Sequence, residues 1–216
     1  MAIHGGDIYS RQIRLDFSIN VNPYGPTEHV LEAMKRSCEQ VGAYPDIECR
    51  KLKRKLAEVL DIKEDYIVIT NGASEAFLGI ARAVNPSTAS VLAPSFYGYT
   101  YALKAVGISE EETYCDGRYD VELAFRANPN NPDGKLNHIN PDDYQGVLVV
   151  DECFLPLSRG KSLIPDIDRY QNLVVVRSFT KTFAYSHTSD YIYSVSFLQR
   201  HSGTYHHTIG HIRIIP

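Results

Sequence analysis

Val147-Leu148-Val149-Val150-Asp151-Glu152 and Leu173-Val174-Val175-Val176, the latter followed by Ser178-Phe179-Thr180-Lys181, decide the fold of this chain. Each is a short apolar run that closes on polar residues. Strands apolar at every position are those buried on both faces, the habit of largely parallel sheets covered by helices. Asp151 and Lys181 therefore stand at or just past the carboxyl ends of buried strands, the edge along which open α/β sheets bind ligands. An acid that closes four apolar residues is costly to bury alone and calls for a cationic partner. A desolvated lysine beside two hydroxyls, Ser178 and Thr180, is a candidate nucleophile toward an aldehyde whose phosphate those hydroxyls hold. Each residue alone is equally readable as solvated surface; together they fit opposite ends of one flat, electrophilic molecule.

Outward from these strands the elements alternate. Val30, Leu31, Met34, Cys38 and Val41 repeat with helical period, and a basic amphipathic helix follows in which Leu52, Leu56, Val59 and Leu60 interleave Arg50, Lys51, Lys53, Arg54 and Lys55. Tyr66 to Thr70 reads as a strand ended by Asn71-Gly72, and the helix after it takes Ser74 as its natural N-cap. Ala89 to Ala93 and Val121 to Ala127 read as further strands, with Tyr97 to Val106 helical between them. The expected fold is α/β, a three-layer sandwich with a mostly parallel sheet.

Composition narrows the function classes. With 216 residues, 44% hydrophobic and 22% charged, the chain can bury one sizeable core. A net charge of −4 and a pI near 6.1 give no electrostatic footprint for nucleic acid. No apolar run is long enough for a membrane span and no leader pattern opens the chain, so a cytoplasmic protein is expected. The four cysteines are scattered without a paired spacing, which reads as small buried thiols, not a disulfide framework or a zinc site. His207 and His211 have i, i+4 spacing, but no carboxylate or thiol completes a set, and no metal is expected.

Three further motifs fall at strand ends. Asn71-Gly72-Ala73-Ser74-Glu75 joins a strand to a helix, so free N–H groups and the helix dipole meet at the sheet edge; it is either a phosphate cradle or a plain capped turn. Pro94-Ser95-Phe96-Tyr97-Gly98-Tyr99 puts aromatics after the next strand, for stacking on a flat ring or for the core. Asn128-Pro129-Asn130-Asn131-Pro132-Asp133-Gly134 is dense in turn formers whose asparagines can also donate to a ligand oxygen.

In that order, these motifs with Asp151-Glu152 and Ser178-Phe179-Thr180-Lys181 resemble the class I/II aminotransferases of the pyridoxal 5'-phosphate (PLP) fold-type I superfamily, over most of the first 184 residues. His4-Gly5-Gly6-Asp7-Ile8-Tyr9 and Asp16-Phe17-Ser18-Ile19-Asn20-Val21-Asn22-Pro23 look most like the threonine-phosphate decarboxylase and histidinol-phosphate aminotransferase branch. The resemblance implies Lys181 as Schiff-base lysine and proton shuttle, and Asp151 as partner of the protonated pyridine nitrogen. It implies Asn131 on the ring hydroxyl oxygen, Phe96 stacked on the ring, and Ala73, Ser74, Ser178 and Thr180 on the phosphate. Tyr44 would reach that phosphate across a homodimer interface, and His4, Asn20 and Asn22 would face an amino-acid or amine phosphate substrate. Transamination and decarboxylation both remain open.

The departures are as specific. Cys153-Phe154 replaces Ala-Tyr, so a tyrosine hydroxyl toward the ring oxygen is absent. After Ala184 the chain reads Tyr185-Ser186-His187-Thr188 where the family has Pro-Gly-x-Arg, and the small C-terminal domain with its carboxylate-binding arginine is missing. From Tyr185 to Pro216 there is no Lys, Glu or Ala, and five of the eight histidines fall there. A shifted reading frame produces such a break. The expected organisation is thus an N-terminal arm (1–24), a partial PLP-binding large domain (25–184) and an atypical tail (185–216) of low structural content. Two alternatives stand beside an active enzyme. One is a non-catalytic truncated remnant. The other is a P-loop-like NTPase, suggested by Arg159-Gly160-Lys161-Ser162, although the glycine that motif requires further upstream is Leu155.

Overall fold

The computed structural model describes residues 10, 12–16, 18–109, 113–114, 116–184, 194–198, 207–209 and 212–214. Its centre is a mixed sheet built from β1 (Ile67–Thr70), β2 (Ala89–Val91), β3 (Thr113–Tyr114), β4 (Leu123–Ala127), β5 (Val147–Asp151), β6 (Leu173–Ser178) and β7 (Ser194–Leu198), in the order β1-β7-β6-β5-β4-β2-β3. β7 runs antiparallel to both its neighbours, and the pairs from β6 to β3 are parallel. The apolar strands split by alternation into two cores. Val149, Val174, Val176, Leu123 and Phe125 face α3 (Gly72–Val84) and α4 (Tyr97–Lys104). Leu148, Val150, Leu173 and Val175 face the other way, toward Ile164, Ile167 and the apolar side of α2 (Arg50–Leu60). This is the expected three-layer arrangement, and its two buried faces are why the strand sequences show no polar alternation.

Several boundaries move. α3 starts at Gly72 with Asn71 as N-cap, so Ser74 is a first-turn residue and not the cap; Gly72 itself has φ +81°, a conformation a serine or alanine would resist. β6 runs on to Ser178, past its apolar part. α1 (Glu28–Ser37) is amphipathic but has no buried residue, and Cys38 beyond it is exposed; Cys49 is half-buried and only Cys153 among the described thiols is buried. The expectation of buried thiols fails at Cys38 because none of the described residues buries that helix. Ser194–Leu198 forms a strand where the sequence offered no strand period. His207 lies in β8 (His207–Ile209), a strand paired with β9 (Ile212–Ile214), and not in a helix, while His211 lies outside the described residues. Among the described residues no His, Cys, Asp and Glu cluster could hold a metal ion, and no helix is long and apolar enough to cross a membrane.

Gly146, at the entry to β5, shows how tightly the parallel layers meet. A Cβ there would run into the backbone carbonyl oxygens of Glu122 and Val121. Glu122 cannot easily yield, since its carboxylate accepts the Ser87 N–H at 2.7 Å and its own N–H donates to Thr88 Oγ1 at 3.1 Å. Gly146→Ala is expected to cost about 2 kcal/mol, read as a lower urea midpoint at unchanged slope. An unaltered midpoint would refute the close approach.

Candidate active site

Asp151 ends β5 on the face that carries Val149, so alternation turns it toward α3 and α4. It is 8% exposed. Oδ2 accepts the Tyr99 hydroxyl at 2.6 Å and Oδ1 accepts the Cys153 N–H at 2.8 Å. Burial holds its carboxyl above the usual carboxylate range; the bonds to Cys153 and Tyr99 and the charge of Lys181 pull the other way without cancelling it. Burial, then the neighbouring carboxylate, push the Tyr99 hydroxyl well above its own range, so it remains a donor. The Cys153 thiol is raised for the same two reasons and stays neutral.

Lys181 sits on α5 (Phe179–Thr182), one short turn after β6. Ser178 opens that turn by accepting the Thr180 N–H at 3.3 Å, and the two hydroxyl oxygens lie 2.7 Å apart. The half-buried ammonium is 5.8 Å from the centre of the Phe154 ring. The N-terminal segment docks on the same turn: the Asn22 backbone N–H donates to the Lys181 carbonyl at 2.9 Å, and its side-chain Nδ2 donates to the Thr182 carbonyl at 3.0 Å.

The remaining candidates line the same edge of the sheet. β1 and β6 both flank β7 antiparallel, so their carboxyl ends lie side by side, about 10 Å apart across two strand spacings. The first turn of α3, with Ala73 half-buried and Ser74 exposed, therefore lies on the same edge as Ser178 and Thr180. Phe96 is the N-cap residue of α4, its ring 5.6 Å from Tyr99 at 82°. A Cβ on Gly98 would strike that ring, so the glycine lets it lie across the first turn.

In the asparagine-rich loop, Asn128 and Asn130 are buried and structural. The Asn128 N–H donates to the Asp151 carbonyl at 2.9 Å, and Asn130 Nδ2 donates to the Pro94 carbonyl and to Asp133 Oδ1, each at 3.0 Å. They pin the loop between β5 and β2 with Asn131 half-buried at its bend.

Not every predicted residue joins this group. Asn20 is exposed and Tyr44 is 100% exposed, on the connection between α1 and α2. Asn22 is committed to the lysine turn, and His4 lies outside the described residues. Arg159 to Ser162 sits between two 3-10 turns, not between a strand and a helix, and the Ser162 hydroxyl donates to Glu152 at 2.7 Å, so it forms no phosphate loop.

Two groups escaped the sequence reading. Tyr99 is three residues beyond Phe96, a spacing that puts both on one helix face. Glu152 is 1% exposed and pairs with Arg177 at 3.0 Å. Since Asp151 and Val176 are register partners, the residues that follow them had to meet.

The sequence model of the aminotransferase class I and II family matches residues 12–187. A histidinol-phosphate aminotransferase from Geobacillus sp. (strain WCH70) is 30% identical over 190 residues, covering 76% of this chain and 52% of that protein. The crystal structure of L-threonine-O-3-phosphate decarboxylase from Porphyromonas gingivalis superposes with a TM-score of 0.71 at 25% identity, covering 84% of this chain and 59% of that one. Histidinol-phosphate aminotransferase from Sinorhizobium meliloti, solved in complex with pyridoxal-5'-phosphate, shares the fold at a TM-score of 0.67 and 21% identity, over 83% and 55% of the two chains. The chain spans about half the length of the relatives it matches.

A carboxyl whose folded pKa lies above its unfolded value binds more protons in the folded state, so its contribution falls as pH rises through that window. Asp151→Asn is therefore expected to raise the melting temperature of the ligand-free chain. The gain should be absent near pH 4, grow as pH rises toward the elevated pKa, and level off above it. A gain independent of pH would contradict the buried, ionising carboxylate.

Proposed function

This chain belongs to the class I and II aminotransferase family, and from that premise we propose that it is the PLP-binding part of an enzyme acting on a phosphorylated amino acid or amine. The observation that carries the reading is Asp151: a buried carboxylate, held by neutral donors on both oxygens, at the strand end next to the one that delivers Lys181. An acid so placed fits a ring N–H that is cationic. Lys181 supplies an amine at the other end, and Ser178, Thr180 and the first turn of α3 supply hydroxyl and amide donors for a phosphate. Phe96 offers a ring face and Asn131 an amide at the bend of its loop.

When bound, PLP supplies an electron sink that stabilises negative charge at the substrate Cα. The chain's own part is to hold and orient. Asp151 keeps the ring nitrogen protonated, and Lys181 carries a proton to or from Cα. The Phe154 ring, 5.8 Å from the lysine ammonium, brings no hydroxyl, so Asn131 is left as the donor to the ring oxygen. Tyr44, bare in this chain, would meet the phosphate of a second copy in a homodimer. Whether a carboxylate or a proton leaves Cα depends on which bond stands perpendicular to the ring; the relatives named for histidinol phosphate and for threonine phosphate divide over that choice.

A second reading, a chain that holds the cofactor without turnover, is favoured by Phe154 and by Tyr185-Ser186-His187-Thr188 in place of the family's phosphate-gripping arginine. The two readings share one test of the site. Mixed with PLP, the chain should develop a visible absorption band that borohydride fixes to Lys181, and Lys181→Ala should abolish both the band and the attachment. Persistence of the same band in the mutant would overturn the assignment; a band without amine-substrate turnover selects the second reading.

A further inference from the structure

We propose that Tyr99 is a positioning residue: its hydroxyl and the Cys153 N–H hold the Asp151 carboxylate by one oxygen each, fixing the plane in which that carboxylate meets a ring nitrogen. The inference rests on the PLP reading for the identity of the ring, but the clamp itself is a property of the ligand-free chain.

The clamp has little freedom. Tyr99 is fully buried, stacked on Phe125 at 5.2 Å and 6°, with Phe77 edge-on at 4.9 Å and 82°. Its hydroxyl therefore cannot swing away, and the 2.6 Å bond to Oδ2 has the length of a charge-assisted O–H···O contact. Cys153 N–H lies on the turn directly after β5 and fixes the other oxygen at 2.8 Å. With both oxygens held, rotation of the carboxylate about its own axis is blocked from two elements, α4 and the β5 turn.

The groups facing Asp151 are Tyr99, the Cys153 thiol and amide, and the Lys181 ammonium. Of these only Lys181 is charged, and the Cys153 thiol, the Tyr99 hydroxyl and the Cys153 amide are the neutral groups that favour the ionised carboxyl against burial. Tyr99 also touches Phe96 edge-on. One side chain thus sets both the acid that grips the ring nitrogen and the aromatic face proposed to stack on the ring, without touching either ring position itself.

The test compares Tyr99→Phe, which keeps the packed ring and removes the hydroxyl, with the unaltered chain. In ligand-free protein carrying carboxyl-labelled aspartate, the NMR titration midpoint of Asp151 should move further up in the variant. In the same variant PLP should bind about tenfold more weakly, while a PLP analogue with carbon in place of the ring nitrogen should bind as it does to the unaltered chain. An unmoved Asp151 midpoint, or equal weakening of both ligands, overturns the proposal; equal weakening means a loosened core.

If the unaltered chain binds neither ligand, the PLP reading has failed and the Asp151 midpoint alone decides the positioning role. Should Tyr99→Phe not fold, the unaltered protein still answers. Exchange of the Tyr99 hydroxyl proton for deuterium must shift the Asp151 carboxyl resonance, and the absence of that isotope shift overturns the clamp.

Discussion

The parallel register of β4, β5 and β6 is the constraint on which the site depends. It sets Ala127, Asp151 and Val176 level, so the acid, the Glu152–Arg177 pair and the hydroxyl of Ser178 all emerge along one edge. Side chains alternate strictly, and a slip of one residue would turn Asp151 to the opposite face. That face is already claimed by another charge. Arg126, one residue before Ala127, is buried there with donors to the Tyr144 hydroxyl, to Ser90 Oγ, and to the carbonyls of Ser90, Phe125, Gly117 and Arg118. The guanidinium is satisfied by neutral oxygens, and the sheet lies between it and Asp151. Two buried charges of opposite sign are thus kept apart, each specified by its place in the pleat.

That separation leaves the acid short of a cation and makes it useful. A salt bridge to Arg126 would have answered the electrostatic demand of Asp151 within the protein. Instead the demand is met by a hydroxyl and an amide, which orient the carboxylate without neutralising it. Glu152, one residue on, is the contrast: its carboxylate is paired with Arg177 and accepts the Ser162 hydroxyl and the Leu163 N–H, both at 2.7 Å. Neighbouring acids in the chain therefore play different parts. Glu152 ties the ends of β5 and β6 to the loop between them, and Asp151 faces the site.

What the sequence showed and what it hid follow from the range of the interactions involved. Val147 to Val150 and Leu173 to Val176 are legible as buried strands because burial on two faces demands unbroken apolar residues. Asp151 and Lys181 are legible because chemistry at the ends of such strands is conspicuous. Tyr99 was hidden because its role depends on a residue far along the chain, joined to it only when α4 packs over β5. The start of α3 was misplaced because Ser74 looks like a better cap than Asn71, yet the positive φ of Gly72 lets the chain turn into the helix three residues earlier. Cys38 looked like a core thiol on a helical apolar stripe, but a stripe is buried only if something covers it, and no residue of α1 is buried by the described residues.

The same logic separates what the sheet supplies from what must be brought to it. Asp151 is oriented by α4 and its own turn, and Lys181 by the Ser178 cap and the Asn22 bonds to its turn. Their relation is therefore fixed by the sheet and pieces packed directly on it. Tyr44 and the apolar side of α1 show the opposite condition: their surroundings in this chain do not explain them, whereas a second copy laid over that face would cover apolar surface and bring a phenol toward the phosphate donors in one step. Burial of both at a single interface would stabilise the assembly through apolar area while completing the cradle. In the homodimer proposed above, assembly and cofactor retention would be two expressions of one packing event, with the acid and the lysine positioned by the single chain.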